Sequence, residues 1–171
     1  FVFTTFFDGW AAADWSRFVY NDDYTRVDRD YAAIRPMHAA RHFATLLHGS
    51  EQARILDFGA GAGIFEQRMR ELGFTDITGY DPFSSPARPD GLFDIITCFE
   101  VIEHSPDPLA TIADMASLLA EDGCILFSQT TQPDDILIRR GSWWYLAPRN
   151  GHVSTYADET LALLGHWRLV S

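Results

Sequence analysis

A short apolar run, Arg54-Ile55-Leu56-Asp57-Phe58, passes directly into Gly59-Ala60-Gly61-Ala62-Gly63 and then into an amphipathic stretch, Ile64–Leu72, closed by Gly73. This feature constrains the fold more than any other. Alternate glycines permit positive φ and let the backbone approach a ligand closely. A buried strand, a glycine turn and a helix make the opening half of a parallel βαβ unit. The rest of the chain keeps that alternation. Strands are expected at Ile77–Asp81, Phe93–Phe99 and Cys124–Gln129, the last after an Asp122-Gly123 turn, and a final one at Trp167–Val170. Helices are expected at Leu109–Leu119 and Ala157–Leu164. Strands alternating with helices imply an α/β fold with a doubly wound, mostly parallel sheet.

The 171 residues suit one domain. Residues 51–171 form the α/β core, and residues 1–50 read as a helical N-terminal lid or cap. That cap has a short strand in Phe1–Phe7, a helix at Ala11–Val19 and another at Ala32–Leu47, interrupted by Pro36. Phe1–Phe7 lacks a basic flank and is a poor signal peptide. No apolar run approaches the ~20 residues of a membrane helix. With 24 acidic residues against 13 basic, the formal charge is −11. Such a surface repels phosphate backbones and anionic lipids, so neither nucleic acid nor membrane is the expected partner. Cys98 and Cys124 sit in apolar strands at opposite ends of neighbouring elements, too far apart for a disulfide. Both read as buried reduced thiols, which suits a cytoplasmic protein.

In a doubly wound sheet the ligand lies beyond the carboxyl ends of the strands. A glycine turn there is shared by several nucleotide-binding folds, and the details discriminate. The dinucleotide pattern needs a small residue three positions after its second glycine. Counting from Gly59 that position is Ile64, and from Gly61 it is Glu66. No Lys-Ser/Thr pair follows, which excludes a triphosphate loop. The second strand ends in Asp81, 24 residues after Asp57, where a carboxylate can accept both hydroxyls of a ribose.

The succession Ile55–Gly63, Gly79-Tyr80-Asp81, Phe93-Asp94-Ile95-Ile96-Thr97-Cys98-Phe99-Glu100-Val101-Ile102-Glu103-His104 and Pro106-Asp107-Pro108 resembles the class I S-adenosylmethionine-dependent methyltransferases. The likeness runs from about Arg35 to Val170. It implies that Asp57, Gly59, Ala60, Gly61 and Gly63 form the turn facing the methionine part of the cofactor. It further implies that Asp81 holds the ribose, that Phe99 lies beside the cofactor, and that Arg35 or Arg41 meets its carboxylate. The chain departs from the family pattern in two places: it stops just after Val170, where the family normally adds an antiparallel strand, and its link before Phe93 is short. About a dozen residues separate Asp81 from Phe93, too few for a helix, a strand and a second helix. The third strand is therefore expected to be missing, with Pro82 and Phe83 covering the adenine instead.

Glu100, Glu103 and His104 follow the Phe93–Phe99 strand directly. On a helical turn, positions i, i+3 and i+4 share one face. Glu-x-x-Glu-His is similar to the pattern of the ubiquinone-pathway O-methyltransferases and the small-RNA 2′-O-methyltransferases, two metal-using subgroups that also carry a later histidine. His152 stands in the corresponding region. Three readings stay open: a divalent cation such as Mg²⁺ or Zn²⁺ held by Glu100, Glu103, His104 and His152; metal-free catalysis by Glu100, His104 or His152 as base or positioning group; and packing alone. The aromatic stretch Ser142-Trp143-Trp144-Tyr145-Leu146 is a candidate substrate lid. The leading expectation is a methyltransferase acting on an oxygen of a small molecule. The alternatives are a non-catalytic cofactor-binding domain and an RNA 2′-O-methyltransferase.

Overall fold

The computed structural model describes residues 2–28, 30, 34–82 and 87–164. Phe83 and the expected strand Trp167–Val170 lie outside them. The elements run β1 (Val2–Phe3), α1 (Ala12–Phe18), α2 (Tyr24–Val27), α3 (Ile34–Leu46), β2 (Ile55–Phe58), α4 (Ile64–Glu71), β3 (Ile77–Tyr80), β4 (Phe93–Phe99), α5 (Pro108–Ser117), β5 (Leu119–Ser128), α6 (Ile136–Arg139), β6 (Ser154–Thr155) and α7 (Asp158–Leu164). Short 3₁₀ turns fall at Ile102–His104, Arg140–Ser142 and Pro148–Asn150.

The main sheet has the order β3-β2-β4-β5, and every pairing in it is parallel. Burial on both faces explains the near-continuous apolar runs. All four residues of β2 are buried. On one face Ile55, Ile77 and Ile95 pack with Ala40 and Leu47 from the α3 region and Phe65 and Met69 of α4. On the other, Leu56, Phe58, Ile96 and Cys98 pack with Met115 of α5 and Leu161 of α7. The sheet is thus doubly wound. No strand is described between Tyr80 and Phe93, so β3 is an outer strand.

Two expectations need correction. Asp122-Gly123 is not a turn before a strand, because β5 already begins at Leu119 and carries both residues. Phe93 pairs with Leu119 but Ile95 with Cys124, so a bulge absorbs the extra residues. Cys124 is exposed rather than buried. It lies at this bulge on an outer strand of the sheet, where the helices do not cover it. Cys98 is buried, and both thiols are free. Cys98 pairs in register with Phe127, three residues beyond Cys124.

The N-terminal segment builds its own small core from Phe7, Trp15, Val19 and Tyr24, and Val153 joins it. Strand β1 pairs antiparallel with β6. The Thr4 amide donates to the Val153 carbonyl at 2.8 Å, and the Val153 amide to the Glu103 carbonyl at 2.7 Å. Backbone hydrogen bonds therefore tie the chain's beginning and its residues 152–155 to the turn that follows β4.

Candidate functional site

Strand β2 delivers Gly59, Gly61 and Gly63 with φ of 81°, 51° and 73°. Left-handed backbone of this kind is costly for residues with a side chain. The Gly59 and Ala60 amides donate to the Tyr80 carbonyl at 2.7 and 3.2 Å, which ties the loop to the end of β3. The Gly61 amide donates to Asp81 Oδ2 at 3.0 Å. That bond aims the carboxylate across the mouth of the loop. Asp57 lies behind it, buried, and Thr97 Oγ1 donates to Asp57 Oδ1 at 2.9 Å. Burial pushes the Asp57 carboxyl up to about 7. The Thr97 bond opposes this, while the charges of Glu66 and Asp81 add to it.

The other residues expected at the cofactor are more scattered. Phe99 ends β4, stacked on Phe43 with ring centroids 4.1 Å apart and edge-on to Phe65 at 5.2 Å. Pro82 is exposed directly after Asp81. Arg41 is exposed on α3. Arg35 pairs with Asp28, and its charge is felt at Glu100, Glu103, His104 and His152.

The polar group forms where β4 ends. The helical turn begins at Ile102, not at Glu100. Glu100 instead adopts φ 52°, a strained conformation for a residue other than glycine, and its amide is anchored on the Ser128 carbonyl at 3.0 Å. This left-handed step turns the chain so that Glu100 and Glu103 reach the same hydroxyl. Tyr145 Oη lies 2.6 Å from Glu100 Oε2 and 2.8 Å from Glu103 Oε1. Gln129 Nε2 donates to that oxygen at 2.8 Å. Glu103 is fully buried, and its Oε2 has no hydrogen-bond partner. Burial holds both carboxyls above their ordinary range; the charge of Glu103 raises Glu100 further, while the hydrogen bond with Glu100 lowers Glu103.

His104 and His152 meet with ring centroids 4.9 Å apart. One donor atom each from Glu103, His104 and His152 lies within 4.8 Å of the others. Burial lowers both imidazoles to about 4, so both are neutral at pH 7. His152 Nδ1 is 2.8 Å from the Tyr145 carbonyl. A carbonyl only accepts, so Nδ1 carries the proton and Nε2 keeps its lone pair. The His152 that sequence placed almost 50 residues away is brought in by the Val153–Glu103 backbone bond.

The loop and the polar group adjoin. A Cβ on Gly59 would stand 2.4 Å from Val101 Cγ2, two residues before Glu103. Tyr20 of the N-terminal segment lies edge-on to His104 at 6.0 Å, so the cap packs against the polar group. The aromatic lid candidate divides: Trp143 and Tyr145 are buried, while Trp144 is 74% exposed. Sequence reasoning placed Tyr145 in a lid and passed over Gln129, because neither belongs to a spacing pattern with Glu100–His104.

The chain matches the methyltransferase domain family over residues 28–166. It is similar to the ubiquinone biosynthesis O-methyltransferase of Actinobacillus pleuropneumoniae serotype 5b, 33% identical over 105 residues, which cover 44% of this chain and 44% of that protein. The enzyme of the same name from Histophilus somni is 28% identical over 131 residues, 58% of this chain and 55% of that one. The chain thus spans about half the length of the curated relatives it matches. The 105 aligned positions exceed 44% of a 171-residue chain, so the relative carries residues without a counterpart here. The short link between Asp81 and Phe93 leads one to expect this.

The fold is that of an O-methyltransferase family protein from Burkholderia thailandensis, with TM-score 0.62 at 14% identity over 88% of this chain and 55% of that one. It is also that of the plantazolicin methyltransferase BpumL, solved with a monoazolic desmethylPZN analog and SAH, with TM-score 0.57 at 13% identity over 90% of this chain and 71% of that one. Motif order, sheet order and family match agree: this chain belongs to the methyltransferase domain family.

Proposed function

We propose that the chain is the catalytic domain of an S-adenosylmethionine-dependent methyltransferase that methylates an oxygen of a small molecule, with a divalent cation held at Glu103, His104 and His152 beside Glu100. The carrying observation is that the two parts adjoin. The glycine turn with Asp81 and the buried Glu–Glu–His–His group open at the carboxyl ends of adjacent strands and touch through Gly59 and Val101. The relatives named for O-methylation and the neighbour solved with SAH support the cofactor and the atom methylated.

Each part has a physical task. S-adenosylmethionine supplies a methyl already activated on a sulfonium, so the protein mainly aligns acceptor and donor and excludes water. The loop amides and Asp81 bind and orient the cofactor. Tyr20, packed on the N-terminal core, lies against the polar group. The donor set fits a cation: a buried carboxylate oxygen without a partner, and two neutral imidazoles close by. A bound divalent cation would lower the pKa of an acceptor hydroxyl. Imidazoles lowered to about 4 are poor proton acceptors at neutral pH, which favours the ligand role over the base role.

Calorimetry with S-adenosylmethionine tests the cofactor, and methyl transfer to 3,4-dihydroxybenzoate before and after chelator treatment tests the cation. Binding of the cofactor is expected, with turnover lost to chelator and restored by Mn²⁺. Absence of cofactor binding overturns the whole reading. Turnover indifferent to chelator removes the cation alone.

A further inference from the structure

One residue touches three of the four groups in the polar cluster. The Tyr145 hydroxyl contacts Glu100 and Glu103, and the Tyr145 carbonyl holds His152 Nδ1. The ring supports this from the side, 4.4 Å from the His152 ring and 5.5 Å from that of Trp143. The hydroxyl is itself fixed by the Gln129 amide, and Tyr145 is 2% exposed.

We propose that Tyr145 is a positioning residue for the cation site: its hydroxyl, oriented by Gln129, holds the Glu100 and Glu103 carboxyls beside His104 and His152, with Glu103 Oε1 3.7 Å from His104 Nε2. This rests on the cation reading above. Glu103 Oε1 is engaged by Tyr145. Oε2 is the oxygen left without a partner. A carboxylate on its own rotates about its last torsion, which is broad and roughly two-fold. A hydrogen bond to one oxygen removes that freedom and sets where the other points. The same oxygen touches Glu100 Oε2; its one proton goes to one carboxylate and the other carboxyl is the acid that donates back, so both are set by one atom. The Tyr145 carbonyl fixes the His152 tautomer, so backbone and side chain of one residue orient donors from two distant segments. Outer partners of this kind are worth about 10–100-fold in metal affinity.

The test titrates the whole 171-residue chain with Mn²⁺ and, separately, with S-adenosylhomocysteine. Tyr145→Phe keeps the ring and the carbonyl and removes only the hydroxyl. It should weaken Mn²⁺ binding by about 10–100-fold and leave S-adenosylhomocysteine affinity unchanged. Gln129→Leu keeps the hydroxyl but frees it to rotate, so it should weaken Mn²⁺ less, in the same direction. It decides the matter if Tyr145→Phe does not fold. Equal Mn²⁺ affinity in wild type and variants overturns the proposal. So does a parallel loss of both ligands, which marks a structural role. A wild-type chain that takes up no Mn²⁺ overturns the cation reading and this proposal together, a result distinct from a wild type that binds and a variant that binds equally.

Discussion

The two halves of the site are built in opposite ways. The glycine half is local: β2, the turn and α4 follow one another, and β3 closes the unit within 26 residues, Ile55 to Tyr80. Its key contacts are backbone bonds between neighbouring elements, such as Gly59 to Tyr80. The polar half is assembled from afar. Glu100, Glu103 and His104 come from the end of β4, Gln129 from the end of β5, and Tyr145 and His152 from the long segment beyond it. A local unit announces itself in sequence, because residue types and spacing carry it. An assembled site depends on which distant residues tertiary packing brings home.

The contact that joins the halves carries the largest expected effect. Gly59→Ala puts a Cβ 2.4 Å from Val101, a short, stiff side chain, in backbone at φ 81°. Overpacking of ~1–3 kcal/mol and a left-handed penalty of ~1–2 kcal/mol add to about 2–5 kcal/mol. Because Gly59 presses on the segment leading to Glu103, this variant should damage cofactor and Mn²⁺ affinity together. Chemical denaturation and both titrations check it. Loss of cofactor affinity alone would mean the halves are mechanically independent.

Glu103→Gln should separate them. The amide oxygen still accepts from Tyr145, so the fold survives. The partnerless Oε2 becomes a neutral NH₂ that binds no cation. Mn²⁺ affinity should fall by about a hundredfold or more, beyond the 10–100-fold of an outer partner. Cofactor affinity should hold, as calorimetry would show.

Asp81→Ala is the mirror experiment. It removes the acceptor that Gly61 and, by resemblance, the ribose use. The expected cost in S-adenosylmethionine affinity is about 1–3 kcal/mol. Mn²⁺ affinity should stay at the wild-type value. A cofactor affinity insensitive to this change would leave the glycine turn without its proposed ligand.

What sequence revealed follows the same division. Elements β2, α4, β3 and β4 stand within a residue or two of where apolar runs and glycines put them. The short Asp81–Phe93 link agrees with a sheet in which no strand is described between Tyr80 and Phe93. The Glu100–His104 pattern was visible, but the reason it converges was not. Spacing brings the three together only if the chain turns helical after Phe99, whereas Glu100 joins the group through a left-handed step that no residue type there advertises. Tyr145 looked like one aromatic among three, since burial separates it from Trp144 and burial is a tertiary property. The Asp122-Gly123 dipeptide has turn chemistry, yet pairing with β4 draws it into a bulged strand.

The smallest effect over any one pH unit concerns Asp57, and it contrasts the electrostatics of the halves. Its folded pKa is raised to about 7 from an ordinary value of 3.8, chiefly by burial. A carboxyl raised in the folded state stabilises fully below its unfolded pKa and loses that contribution as pH climbs toward 7. In the polar half, Glu100 and Glu103 act in the same sense, but His104 and His152, lowered to about 4, act against them. Their stabilisation is present above ~6.5 and is lost as pH falls through about 4. Asp57→Asn preserves the acceptor for Thr97 Oγ1 and imitates the protonated acid. Urea unfolding from pH 4.5 to 7.5 should therefore give two stability curves that lie closest at the acid end. They should separate by up to about 1.4 kcal/mol per unit toward neutrality, the variant lying higher. Parallel curves would show that Asp57 is ionised throughout this range and that its buried carboxylate is satisfied by the loop.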